Sequence, residues 1–179
     1  MAKEEANFII TRGASSRLPK LKALPSWCSI TEMPVEIAIS KLSKMKVIKM
    51  SNNVVKDIKK ALAKHSVYVQ VKGPDAFAHR GNILGKVKAI ELIDKYYIKP
   101  LIQEVDLSEI AILITSDHAT PPKVKAHTDD PVPFIISWRR LKPDGIERFT
   151  EKECMYKGSL SIINHGYELL PLVFNILKN

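Results

Sequence analysis

At 179 residues, 45% of them hydrophobic, the chain is long enough for one domain with a full core and too apolar for a disordered tail. Its net charge of +9 is carried by lysines spread along the whole length rather than clustered with aromatics, which argues against a nucleic-acid surface and for a solvated basic face that also draws small anions. No run approaches the roughly 20 apolar residues needed to span a bilayer, residues 1–7 lack the apolar core of a signal peptide, and Cys28 and Cys154 form no CxxC pair. The composition therefore predicts a cytoplasmic protein with no membrane span, no disulfide and no thiolate metal site.

In chain order, residues 7–11 read as a short strand ending at Arg12-Gly13, followed by a Ser-, Pro- and Lys-rich loop to about Pro25. Residues 35–45 carry Val35, Ile39 and Leu42 at helical spacing, and 46–50 read as a strand. Ser51-Asn52-Asn53 caps a helix whose apolar face is Val54, Ile58, Ala61 and Leu62 and which ends near His65. Residues 67–71 form a strand. From Gly85 a long helix is expected, with Val87, Ile90, Ile93, Tyr97 and Leu101 facing inward and Pro100 interrupting it. The run 110–115 suits a strand buried on both faces, 134–137 is another strand, Thr150 starts a helix, and 168–177 is a closing apolar helix. Strands alternating with helices predict an α/β class with a mainly parallel sheet. A boundary is expected near His65, dividing residues 1–65 from 66–179.

The chemistry-bearing side chains fall after strands. Asp75 and His79 stand four apart, so in a helical turn they share a face and reach one ion. Asp117 and His118 end the run 110–117, and His127 precedes Asp129-Asp130-Pro131. Sites of open α/β sheets form at the carboxyl ends of strands, and imidazole with carboxylate suits zinc, manganese or a similar divalent ion. Each alone has a plainer reading: an isolated Asp-His pair is common, and three histidines after strands can arise by chance.

Two blocks add context. Residues 71–79 (Gly73-Pro74-Asp75 through His79), with Lys86 and 89–94, and residues 114–122 (Ser116-Asp117-His118-Ala119-Thr120-Pro121-Pro122), with Lys125-Ala126-His127 and Asp130-Pro131-Val132-Pro133, resemble signatures of the archaeal-type, cofactor-independent phosphoglycerate mutases of the alkaline phosphatase superfamily. The resemblance runs over nearly the whole chain and fits a C-terminal portion. It implies an alkaline phosphatase-like three-layer sandwich, incomplete at its N-terminal side, in which residues 1–65 are a remnant of the lid domain and 66–179 part of the metal-binding core. It further implies one divalent metal on Asp75, His79 and His127 and a second on Asp117 and His118, manganese or zinc in kind, with Arg12 gripping a small phosphorylated substrate. The family's nucleophilic Ser and a further metal-binding Asp, which belong to its N-terminal half, have no counterpart here, so no catalytic nucleophile is assigned.

The sequence departs from the family at Arg80-Gly81-Asn82, where acidic residues are usual, at Gln70, where a His is usual, and at Ala76-Phe77. The implied reaction interconverts 3-phosphoglycerate and 2-phosphoglycerate. The alternatives are a non-catalytic metal-binding remnant or subunit of a split enzyme, and a metal-dependent phosphomonoesterase. An incomplete sheet exposes strand edges, which predicts a separately encoded N-terminal half or a homo-oligomer as partner.

Overall fold

The computed structural model describes residues 14–160 and 162–178. The strand expected at 7–11 and Arg12 lie outside the described residues. The first element is strand β1, Trp27–Ile30, which the sequence pattern does not predict. Helix α1 (Pro34–Leu42) leads to β2 (Lys46–Ile48), and helix α2 (Val54–Leu62) leads to β3 (Ser66–Val69). The three strands form a parallel sheet in the order β2-β1-β3, with Cys28 opposite both Lys46 and Val67. The missed strand is therefore the centre of the sheet. Its four residues are too few to display a period, and Trp27, Cys28 and Ser29 carry no alternation.

The core follows from that topology. Cys28 and Ile30 are fully buried against Val54, Ile58 and Ala61 of α2, with Val67, Val69, Tyr97 and Leu101 packed around them. Asn53 caps α2 as expected, its Oδ1 accepting the Lys56 N–H at 3.0 Å. Burial pushes the Cys28 thiol pKa up, in keeping with an inert apolar filler. Because β3 pairs with β1 along its whole length, the sheet draws strands from both sides of residue 65.

After β3 come α3 (Pro74–His79) and α4 (Ile83–Ile93), which pack tightly on each other. The inner face of α4 differs from the expected one. Val87 and Ile90 are about half exposed, at 49% and 51%, while Gly85, Lys86, Ala89 and Ile93 turn inward. The reason is steric: α3 comes close enough that a side chain added at Gly85 would collide with Phe77 and with the Asn82 amide that caps the helix. Small residues, not large apolar ones, mark the contact. Pro100 does interrupt the helix. Residues Asp94–Ile98 widen into a π turn, Lys99 donates its N–H to Asp94, and α5 (Lys99–Glu104) restarts with the proline in its first turn. Past the π turn, Tyr97 and Leu101 reach the core.

The second sheet pairs β4 (Ile112–Thr115) with β5 (Phe134–Ser137), antiparallel, Leu113 opposite Ile136. With β5 as its strand neighbour, β4 is half-buried along Ile112, Leu113 and Ile114 and exposed at Thr115, not buried on both faces as its unbroken apolar run suggested. Helix α6 (Glu151–Lys157) is capped by Thr150, and α7 (Leu169–Lys178) closes the chain by setting Phe174 edge-on against Trp27, with ring centroids 6.0 Å apart. Among the described residues no helix is long and apolar enough to cross a membrane.

Two carboxylates tie down the loop before and after α6. Glu153 accepts the N–H groups of Glu147 (2.8 Å) and Arg148 (3.0 Å), and Asp144 accepts those of Ser159 (3.1 Å) and Ile146 (3.3 Å). These hydrogen bonds, led by Glu147 for Glu153 and by Ser159 for Asp144, hold both carboxyl groups below the usual carboxylate range. A depressed folded pKa contributes stability above the unfolded value that is lost as pH falls through the folded one. Glu153→Gln is accordingly expected to flatten the decline of thermal stability between about pH 5 and pH 3 relative to the unmodified chain, measured by circular dichroism melts. Gly85→Ala is expected to destabilise by about 1–3 kcal/mol in urea denaturation, although alanine is the better helix former, because overpacking at the α3–α4 contact outweighs the propensity gain.

Candidate metal centre

The turn from β3 into α3 aims two candidate ligands at one point. Gly73, at φ +137°, is a backbone conformation that side-chain-bearing residues rarely adopt, and Pro74 sets the first turn of α3. Asp75 then lies in the first turn and His79 in the last, and His79 Nε2 comes within 3.3 Å of Asp75 Oδ1. The i, i+4 spacing read from the sequence is thus realised on one helix face.

The third candidate ligand arrives from 48 residues further on. Ala119 and Thr128 form an antiparallel bridge, with the Thr128 N–H on the Ala119 carbonyl at 3.1 Å. One step to either side of such a bridge, cross-strand neighbours lie on the opposite face. Thr120 and His127 therefore share a face with His118. His127 Nε2 stands 3.2 Å from His79 Nε2 and 3.7 Å from Asp75 Oδ1, and its ring stacks on His118 with centroids 3.8 Å apart. Lys125, at φ 59°, sits in the left-handed region, and its carbonyl accepts from His79 Nδ1 at 2.9 Å. A carbonyl only accepts, so Nδ1 carries a proton, and in the neutral form of the ring the lone pair is at Nε2.

One donor atom from each of Asp75, His79 and His127 lies within 4.8 Å of the other two, and all three residues are exposed. Four ligands at about 2.0–2.1 Å in a tetrahedron stand roughly 3.3–3.4 Å apart. The separations of 3.2, 3.3 and 3.7 Å bracket that edge length. Two imidazoles and a carboxylate are also the donor set of open catalytic zinc sites, and a ligating His commonly ties its other ring nitrogen to a carbonyl, as His79 does here. The donor set thus fits a divalent cation.

Asp117 and His118 form a separate pair, Oδ2 to Nε2 3.4 Å, at the carboxyl end of β4. Burial, then the charges of Glu36 and Asp117, push the Tyr68 pKa up. Gln70 is tied to Thr31 (3.3 Å) and Glu36 (3.0 Å) at the end of the parallel sheet. Asp144 is engaged by Ser159 and Ile146. Arg12 lies outside the described residues. A groove of about 620 Å³ between α2 and α4 is lined by Lys72, Tyr96, Tyr97 and Glu104 and does not include the cluster, which is on open surface. Two contributors escaped the sequence reading, the Lys125 carbonyl and the Thr120 hydroxyl. For Thr120 a signal existed, since positions 118 and 120 of an extended segment point the same way.

Comparison with known proteins shows the family of the chain. Residues 31–168 match the family model described as Metalloenzyme superfamily. The chain is 36% identical to a 2,3-bisphosphoglycerate-independent phosphoglycerate mutase of Aeropyrum pernix over 97% of its own length and 45% of the relative's. It is 43% identical to the same-named protein of Sulfolobus acidocaldarius over 61% of this chain and 25% of that one. A probable mutase of Aquifex aeolicus is 32% identical over 89% and 40%. A solved structure from Pyrococcus horikoshii superimposes with a TM-score of 0.76 at 26% identity, covering 86% of this chain and 42% of that one. The chain spans less than half the length of the curated relatives it matches. With the model matched over most of its length, and with an α/β fold whose larger sheet is parallel, the chain belongs to the Metalloenzyme superfamily.

Proposed function

We propose that this chain is the metal-binding part of a phosphoglycerate mutase-like phosphotransfer enzyme, and that Asp75, His79 and His127 hold one divalent cation in it. The observation that carries the reading is the convergence of three donor atoms within 4.8 Å, at separations that suit a tetrahedral ion. Manganese and zinc both suit the mixed nitrogen and oxygen set. Bound there, such an ion polarises a phosphoryl oxygen as a Lewis acid. The chain's own part is to present the ligands: Asp75 supplies negative charge, His79 keeps a lone pair free through its Lys125 bond, and the +9 net charge draws an anionic substrate such as 3-phosphoglycerate. Arg12 is proposed as a substrate grip, a guanidinium fork matching phosphate or carboxylate. We place this chemistry in the cytosol.

Asp117 and His118 are proposed as ligands to a second ion, but two side chains are one short of an open catalytic set. That favours a second reading, in which these 179 residues fold and bind one ion without turning over. The exposed apolar residues Ile83, Leu84, Val87 and Ile90 on α4 support a covering partner, either a separately encoded half or a second copy. The division into a lid remnant, residues 1–65, and part of the metal-binding core, residues 66–179, is kept as a proposal, with β1 and β3 pairing across it.

The purified chain is expected to retain about one zinc or manganese ion, and His79→Ala to retain none, by metal analysis. An unmodified protein free of metal after reconstitution overturns the site. With 3-phosphoglycerate and manganese the chain alone is expected to show no mutase turnover, and addition of a family fragment bearing the Ser and Asp to restore it. Strong turnover by the chain alone would refute the non-catalytic reading.

A further inference from the structure

Between Asp75 and His118 lies the Thr120 hydroxyl. Thr120 is 3% exposed, the most deeply buried polar residue of this region. Its Oγ1 stands 2.8 Å from Asp75 Oδ1 and 3.1 Å from His118 Nδ1. A carboxylate only accepts, so the threonine proton goes to Asp75. The same oxygen is then an acceptor towards His118, which places a proton on Nδ1 and, in the neutral form of the ring, the lone pair on Nε2, the atom beside Asp117. The hydroxyl thus receives one hydrogen bond and gives the other. Its backbone is fixed from the opposite side: Lys86 Nζ donates to the Thr120 carbonyl at 2.9 Å, and the bridge at Ala119 holds the preceding residue.

We infer that Thr120 is a positioning residue that links the two ligand groups, orienting Asp75 for one cation and selecting the His118 tautomer able to bind the other. This rests on the metal reading proposed above. Thr120 touches neither ion nor substrate; it acts through Asp75 and His118. Only a side chain that both donates and accepts through one atom does this. Serine preserves the link, while valine keeps the shape and loses it.

The test uses the full chain, with zinc as probe and three variants: Thr120→Val, Thr120→Ser and Thr120→Ala, the last serving if valine disturbs the fold as judged by circular dichroism. Nitrogen-15 spectra of the metal-free protein at about pH 8, where imidazole is neutral, read the His118 tautomer. The unmodified chain and Thr120→Ser are expected to hold the proton on Nδ1, and the hydroxyl-free variants to shift it towards Nε2. Zinc titration calorimetry is expected to show affinity weakened by about 10–100-fold without the hydroxyl, as for other groups that orient ligands, and restored by serine. An unchanged tautomer, or unchanged zinc affinity in the valine and alanine variants, overturns the inference and leaves the metal site standing. Failure of the unmodified chain to bind zinc overturns the metal reading and this inference with it.

Discussion

Two imidazole nitrogens 3.2 Å apart, each beside the same carboxylate oxygen, set the terms for the rest of this structure. Neutral Nε2 atoms repel lone pair to lone pair unless a proton or a cation stands between them. Holding them there takes a rigid frame. On one side the frame is the short helix α3, started by Gly73-Pro74. On the other it is an antiparallel bridge that returns the chain to within reach 48 residues later. The left-handed backbone at Lys125 belongs to the same device, since its carbonyl locks the His79 ring.

The frame in turn depends on close helix packing. Helix α3 lies against the glycine and alanine face of α4, and Lys86 on that face reaches across to the Thr120 carbonyl. A bulkier α4 would move α3 outward, and with it Asp75 and His79. The large apolar residues of α4 point outward instead, which is why its sequence pattern misleads: hydrophobicity marks one face and steric fit uses another.

Electrostatics link the two halves of the site. Thr120 donates to a carboxylate and receives from an imidazole, so the protonation of one group is tied to the orientation of the other. The stacked rings of His118 and His127 add a direct contact across the same boundary. Membership of a metal-dependent superfamily, shown over residues 31–168, gives this arrangement its chemical setting.

The sequence by itself determined the local features. The Asn53 and Thr150 caps, the Pro100 interruption, the Asp75–His79 pair and the block around Asp117-His118 are contacts between residues close in the chain, and their physics is visible in a short window. Tertiary structure decided what depends on residues far apart. It made the short segment Trp27–Ile30 the central strand, through partners on both sides that no window includes. It turned the small face of α4 inward and set β4 antiparallel to β5 with its faces half covered. It also brought His127 onto His79, and Thr120 onto Asp75, because a bridge between positions 119 and 128 sets which side chains share a face, and that register is a property of the paired strands and not of either one alone.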